Sequence, residues 1–133
     1  MKVLSLQEPY ATFVAKGYKK IETRSWKTNY RGDILIHASR GDAFCNAIKD
    51  EKILDLMKET ELQFGKIICK ARIVDCVKMD EDLIKRVREN DEIEYLLGIY
   101  EVGRYAWFLE DVEVLESPIE ARGRLNLWEY NID

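Results

Sequence analysis

The stretch 17-GYKKIETRSW-26 sets three cations, a glutamate and a tryptophan within nine positions of a glycine. From Lys20 to Trp26 the β-branched Ile21 and Thr23, with Ser25, alternate against Lys20, Glu22, Arg24 and Trp26, and a period of two puts the second set on one side of a strand. That face meets either water or a cleft. In water, Glu22 and Arg24 are a surface pair worth at most about 1 kcal/mol, and Trp26 has no purpose there. In a cleft, cations on either side hold the carboxylate ionised and offer donors to carbonyl or phosphate oxygens, while the indole gives a planar group a surface to stack on. A salt-bridge network tying the strand to a neighbouring helix accounts for the same spacing. Lys19 falls on the opposite parity from Glu22, which assigns it to the turn unless a bulge re-aims it.

Outward from this strand, VLSLQ alternates enough for a short strand, and Pro9 suits the first position of a helix over 9–16 that Gly17 stops in a left-handed conformation. GDILIHAS, after a turn, is apolar on both faces, as an interior strand is. Asp42 is a good N-cap for a helix whose apolar stripe drifts near Glu51. KIICKARIVDCVKM is the longest β-prone run. A third helical segment runs through Leu83, Ile84 and Val87, falters at Asn90 and Asp91, and resumes towards Leu97. GRYAWFLEDVEVLE reads as one or two strands ended by Ser117-Pro118, and GRLNLWEY as a short closing strand or turn. The sum is one α+β domain over 1–133, a small, partly open mixed β-barrel of five to seven strands with two or three flanking helices.

The 133 residues are 47% apolar and 35% charged, a soluble globular balance. The amino terminus reaches Glu8 and Pro9 before an apolar leader develops, and no run approaches a membrane span; a cytoplasmic protein without membrane contact is the expectation. Cys45, Cys69 and Cys76 have neither disulfide nor zinc spacing, so no metal or cofactor is expected. Net charge is −4, unevenly spread: residues 1–40 hold eight basic against three acidic groups, or +5, and the other 93 hold 13 against 22, or −9. Such a basic patch on an acidic body is what localised phosphate recognition requires. Phosphate-loop, dinucleotide, zincin and hydrolase-elbow motifs are absent. Asp80, Glu81 and Asp82 favour a helix amino terminus rather than a metal, and Arg31-Gly32-Asp33 is a chance tripeptide.

With these readings in place, GYKKIETRSW resembles the G-x-K-x-x-E-x-R pattern of the ASCH domain family, a relative of the PUA superfamily. LSLQEPYA, YRGDILIHAS, GKIICKARIVDC and SPIEARGRLNLW resemble the family's segments in the same order. The resemblance implies a PUA-like barrel, a cleft lined by the motif strand, and RNA or another nucleic acid as partner. It makes Lys19, Glu22 and Arg24 the motif residues, with Trp26 or Tyr10 to stack a base and Lys20 beside them.

One branch of ASCH-like proteins removes the acetyl group of N4-acetylcytidine with a lysine, a threonine and a glutamate, and another is ribonucleolytic, so Lys19 and Glu22 are also the catalytic candidates for an amidohydrolase or ribonuclease. The lysine of the deacetylating branch falls on Lys19, but its threonine slot holds Glu22, and Thr23 lies on the other strand face. A binding module is therefore the first reading, a small hydrolase acting on a modified nucleoside or RNA the second, and an interaction domain without nucleic acid the third.

Overall fold

The computed structural model describes residues 1–131. Its sheet is organised by β3 (Gly32–Ala38), whose Ile34, Ile36 and Ala38 enter the main core while Leu35 enters a second cluster with Val3, Ile67 and Trp128. A strand buried on both faces needs partners along both edges. They are β1 (Lys2–Leu6), parallel, and β4 (Lys66–Lys78), antiparallel. Beyond them β4 pairs β5 (Tyr105–Glu120), β5 pairs β2 (Ile21–Arg24), and β1 pairs β6 (Leu127–Glu129), giving the order β2-β5-β4-β3-β1-β6. The sheet curls into a half-barrel, bringing β2 back towards β1 although four positions separate them in the strand order.

Helix α1 (Tyr10–Lys16) lies in the concavity, with Ala11 and Val14 in the main core and Phe13 beside Ile53 and Leu97. It ends at Gly17, at φ +82°, where Tyr18 N donates to Phe13 O at 2.9 Å. The two helical stretches with drifting stripes each divide, so two or three expected segments become five helices among the described residues. In the first, α2 (Ala43–Ala47) gives way to α3 (Glu51–Lys58), whose amino terminus Asp50 caps by accepting from Lys52 N and Ile53 N. In the second, Asp80 caps α4 (Glu81–Asn90), and Asp91 ends it and caps α5 (Glu92–Leu96) by accepting from Glu94 N. A side-chain cap inside a periodic run restarts the helix on a new axis. Asp42 precedes α2 without a side-chain cap bond.

Two further expectations need correction. Ser117-Pro118 does not end β5, which runs through to Glu120. Its register jumps from Ile67↔Ile119 to Cys69↔Val114, leaving Pro118 in an irregularity where a ladder N–H is not required. The motif strand is shorter than 20–26, stopping at Arg24. Its outer edge is protected by Glu94 of α5, whose carboxylate accepts from Lys20 N at 2.6 Å and Ile21 N at 3.3 Å.

The chain's one histidine locks the closing segment to the sheet. The Ala121 carbonyl can only accept, so His37 Nε2 donates to it at 2.8 Å. Nδ1 then accepts from Ser5 Oγ at 2.9 Å, and Ser5 Oγ accepts from Trp128 Nε1 at 3.1 Å. In a protonated ring Nδ1 would instead donate to Ser5 Oγ, so it is burial, more than these hydrogen bonds, that favours the neutral form. Burial lowers the His37 pKa below its ordinary value; the hydrogen bond to Ala121 opposes this and nearby Arg40 adds to it. The unfolded chain therefore takes up the His37 proton more readily, so the stability this group confers is complete above about pH 6.5 and falls as pH drops through its folded pKa. Urea midpoints measured at pH 7.5 and 5.5 should show a larger loss for the wild type than for His37→Gln; equal losses would contradict the buried neutral ring.

Candidate functional site

The ends of the curled sheet do not meet through backbone. β6 pairs with β1 only as far as Leu4, opposite Leu127, so the Ser5 carbonyl projects beyond the ladder. Arg24, at the end of β2, fills this gap: its Nη2 donates to Ser5 O at 2.8 Å, and Nε and Nη2 both reach Glu22 Oε2, at 2.9 and 2.8 Å. The strand period makes this possible, since Glu22 and Arg24 leave the same face while Ile21 packs with Met79, Leu83 and Ala106.

Behind the pair lies Lys19, buried despite its charge at 1% exposure. Its Nζ donates to Ile21 O and Leu97 O, both at 2.7 Å, and stands 3.5 Å from Glu22 Oε1. Two hydrogen bonds to carbonyls and the nearby carboxylate charge compensate the ammonium where it sits. Lys19 precedes the strand, and its stem turns inward rather than following strand parity. Thr23 N completes the carboxylate's environment by donating to Glu22 Oε1 at 3.2 Å.

In front of the pair is a cavity of about 380 Å³ at the seam. Its walls come from Ser5 to Gln7 at the end of β1, Tyr10 on α1, Glu22 to Arg24 on β2, Phe44 on α2, and the loop of Leu97 to Ile99. Arg104, Ser39 and the segment Arg124 to Asn126 complete the rim. Three arginines thus face it against one carboxylate, which Arg24 and Lys19 already neutralise. Tyr10 has its phenol pKa raised, first by burial and then by Cys45 and Glu22, and so presents a neutral hydroxyl. Thr23 borders the cavity too, its Oγ1 accepting from Ile99 N at 3.0 Å. Gly98 permits this approach, because a Cβ there would stand 2.9 Å from Thr23 Cγ2.

The structure brings Glu22, Arg24 and Tyr10 to the cavity with Lys19 at their back, and separates two other candidates from them. Trp26 does not share the face of Glu22 and Arg24: the strand has ended, Ser25 bends the chain, and alternation no longer applies. Its ring packs edge-on against Trp107 at 4.7 Å, and its carbonyl accepts from Trp107 Nε1 at 3.3 Å. Lys20 lies before the strand begins and borders a separate, mainly apolar hollow with Ile21, Leu83 and Phe108. Arg104, Arg124 and Phe44 escaped the sequence reading. Alternation within one strand cannot reveal residues delivered by distant loops, and the R-G-R at 122–124 was the one local signal available.

The family profile for the ASCH domain matches residues 4–119. The chain belongs to the ASCH domain family. Among solved structures, the ASCH protein of Zymomonas mobilis is similar over 90% of this chain and 72% of its own, with a TM-score of 0.56 at 18% identity. A tyrosine-to-phenylalanine variant of that protein gives 0.55 at 18% identity, covering 90% and 74%, and a serine-to-alanine variant 0.54 at 17%, covering 90% and 72%. No curated protein matches the chain. At such identities the likeness is one of fold, and it agrees with the curled six-stranded sheet and its helices.

In this ASCH domain Lys19 is a buried tie between β2 and the end of α5. Removing the ammonium leaves the buried Ile21 and Leu97 carbonyls without this donor and takes away one of the two cations beside Glu22, at a cost of about 3 kcal/mol. Lys19→Met should lose roughly that much in urea unfolding, while the exposed Lys16→Met stays within about 0.5 kcal/mol of wild type. An unchanged midpoint for Lys19→Met would contradict the buried ammonium.

Proposed function

We propose that the seam cavity binds one nucleotide of RNA or of another nucleic acid, with Arg24 as the central recognition group. One observation carries this reading. The Arg24 guanidinium is held by Glu22 and Ser5 O at the wall of a cavity that also presents Tyr10, Phe44, Arg104 and Arg124. An arginine fixed along one edge loses little freedom when it binds an acceptor. Tyr10 and Phe44 give a base apolar surface to stack on, and Arg104 and Arg124 balance phosphate charge.

The hydrolase reading needs a lysine free to meet substrate. Lys19 instead spends its donors on two carbonyls and Glu22, so the geometry favours binding.

A titration of the ¹⁵N-labelled protein with mixed-sequence single-stranded RNA 12-mers tests the proposal. Amide shifts should concentrate at Tyr10, Glu22 to Arg24 and Leu97 to Ile99. With Arg104 and Arg124 each on a phosphate, log affinity should fall with log salt at a slope of about −1.4, from about −0.7 per contact. Arg24→Lys, which cannot hold both Glu22 and Ser5 O, should weaken binding by tenfold or more. Shifts confined to other surfaces, or no binding by the folded protein, would refute the proposal.

A further inference from the structure

Beside the seam cavity, and sharing Ser5, Ser39, Arg124 and Leu125 with it, is a second hollow of about 360 Å³ bordered by Arg40, Arg122 and Arg124. Among the described residues no carboxylate lines it. Among the described residues eight of the 21 lysines and arginines form ion pairs, including Arg31 with Asp75, Arg72 with Asp111, Lys70 with Asp33 and Glu113, and Lys52 with Glu92. Among the described residues Arg40, Arg122 and Arg124 form no ion pair. Three guanidinium groups gathered without a counter-charge repel one another, and an anion relieves that repulsion.

The hollow is held in shape by its backbone. Gly65, at φ +78°, lets the Arg40 stem lie across it, since a Cβ there would stand 2.9 Å from Arg40 Cγ. Between the other two arginines, Gly123 approaches the His37–Ser5 pair so closely that a Cβ would stand 2.8 Å from His37 Cε1 and 3.1 Å from Ser5 Oγ. Both ring nitrogens of His37 are already engaged, by Ser5 and Ala121, so the floor brings no negative charge.

We infer that the hollow is a phosphate site, and that the ligand is a phosphorylated nucleotide whose base occupies the seam cavity while its phosphate lies among Arg40, Arg122 and Arg124. This inference rests on the nucleotide-binding reading above and narrows it: a bare nucleoside leaves the hollow empty. Arg124, on the wall common to both spaces, is the junction between the base and phosphate contacts.

The test compares cytidine, cytidine monophosphate and a mixed-sequence RNA 12-mer on the wild type and on a folded Arg40→Gln/Arg122→Gln variant. In the wild type the monophosphate should bind at least tenfold more tightly than cytidine and shift the amides of Ser39, Arg40 and Gly123. The variant should lose most of that advantage, and its RNA salt slope should shrink by about 0.7 for each contact removed. A monophosphate as strong as the RNA marks a free nucleotide as the ligand, and a much stronger RNA marks a strand; both support the phosphate site. Equal binding of cytidine and its monophosphate, or unchanged RNA affinity and slope in the variant, overturns it. If RNA perturbs the cavity but not Ser39, Arg40 or Gly123, the nucleotide reading stands and the phosphate site falls. If no probe perturbs the cavity, both fall.

Discussion

A sheet that curls without closing must leave a seam, and here one side chain spans it. Arg24 links the edge strand β2 to the unpaired Ser5 carbonyl of β1, the fifth strand of the six in the sheet's order. Much of the surroundings depends on this bond. Glu22 is present on the same face to orient the guanidinium, Lys19 offsets the carboxylate from behind, and Gly98 lets the following loop approach Thr23. The cavity is the space this bridge leaves in front of itself. In the proposed function, structural closure and ligand recognition fall to the same guanidinium, because its planar fork has enough donors for both.

Buried ionic groups are poor evidence of stability by themselves, since desolvation offsets much of the attraction between them. What distinguishes this network is its imbalance. Two cations meet one carboxylate, and Arg104 and Arg124 add further positive charge at the rim. A protein of net charge −4 therefore has a local positive field where its walls exclude part of the solvent, and that field governs association with an anion more than net charge does.

The sequence revealed the elements better than their assembly. The double-sided apolar run of β3 announced an interior strand, Gly17 announced the end of α1, and the alternation of Glu22 with Arg24 announced a shared face. Alternation misled where its premise ceased to hold. Trp26 lies beyond the bend at Ser25, and Lys20 before the strand begins. Lys19 showed the opposite failure, joining Glu22 because a four-carbon stem can turn inward ahead of a strand. Pro118 looked like a stop because a sequence cannot display the register shift that accommodates it. The charge asymmetry pointed to a basic site, yet of the basic residues in the first forty only Arg24 lines the cavity. Arg104 and Arg124 come from the acidic remainder, since it is curvature of the sheet that gathers them.

The central claim is that Glu22 and Arg24 act as one unit closing the seam. A double-mutant cycle in urea with Glu22→Gln, Arg24→Met and their combination measures this most directly. A charged, multiply hydrogen-bonded pair in a half-buried setting predicts a coupling of about 1.5 to 3 kcal/mol. Single losses that add to within about 0.3 kcal/mol would show two independent side chains, and the account of the seam would fail.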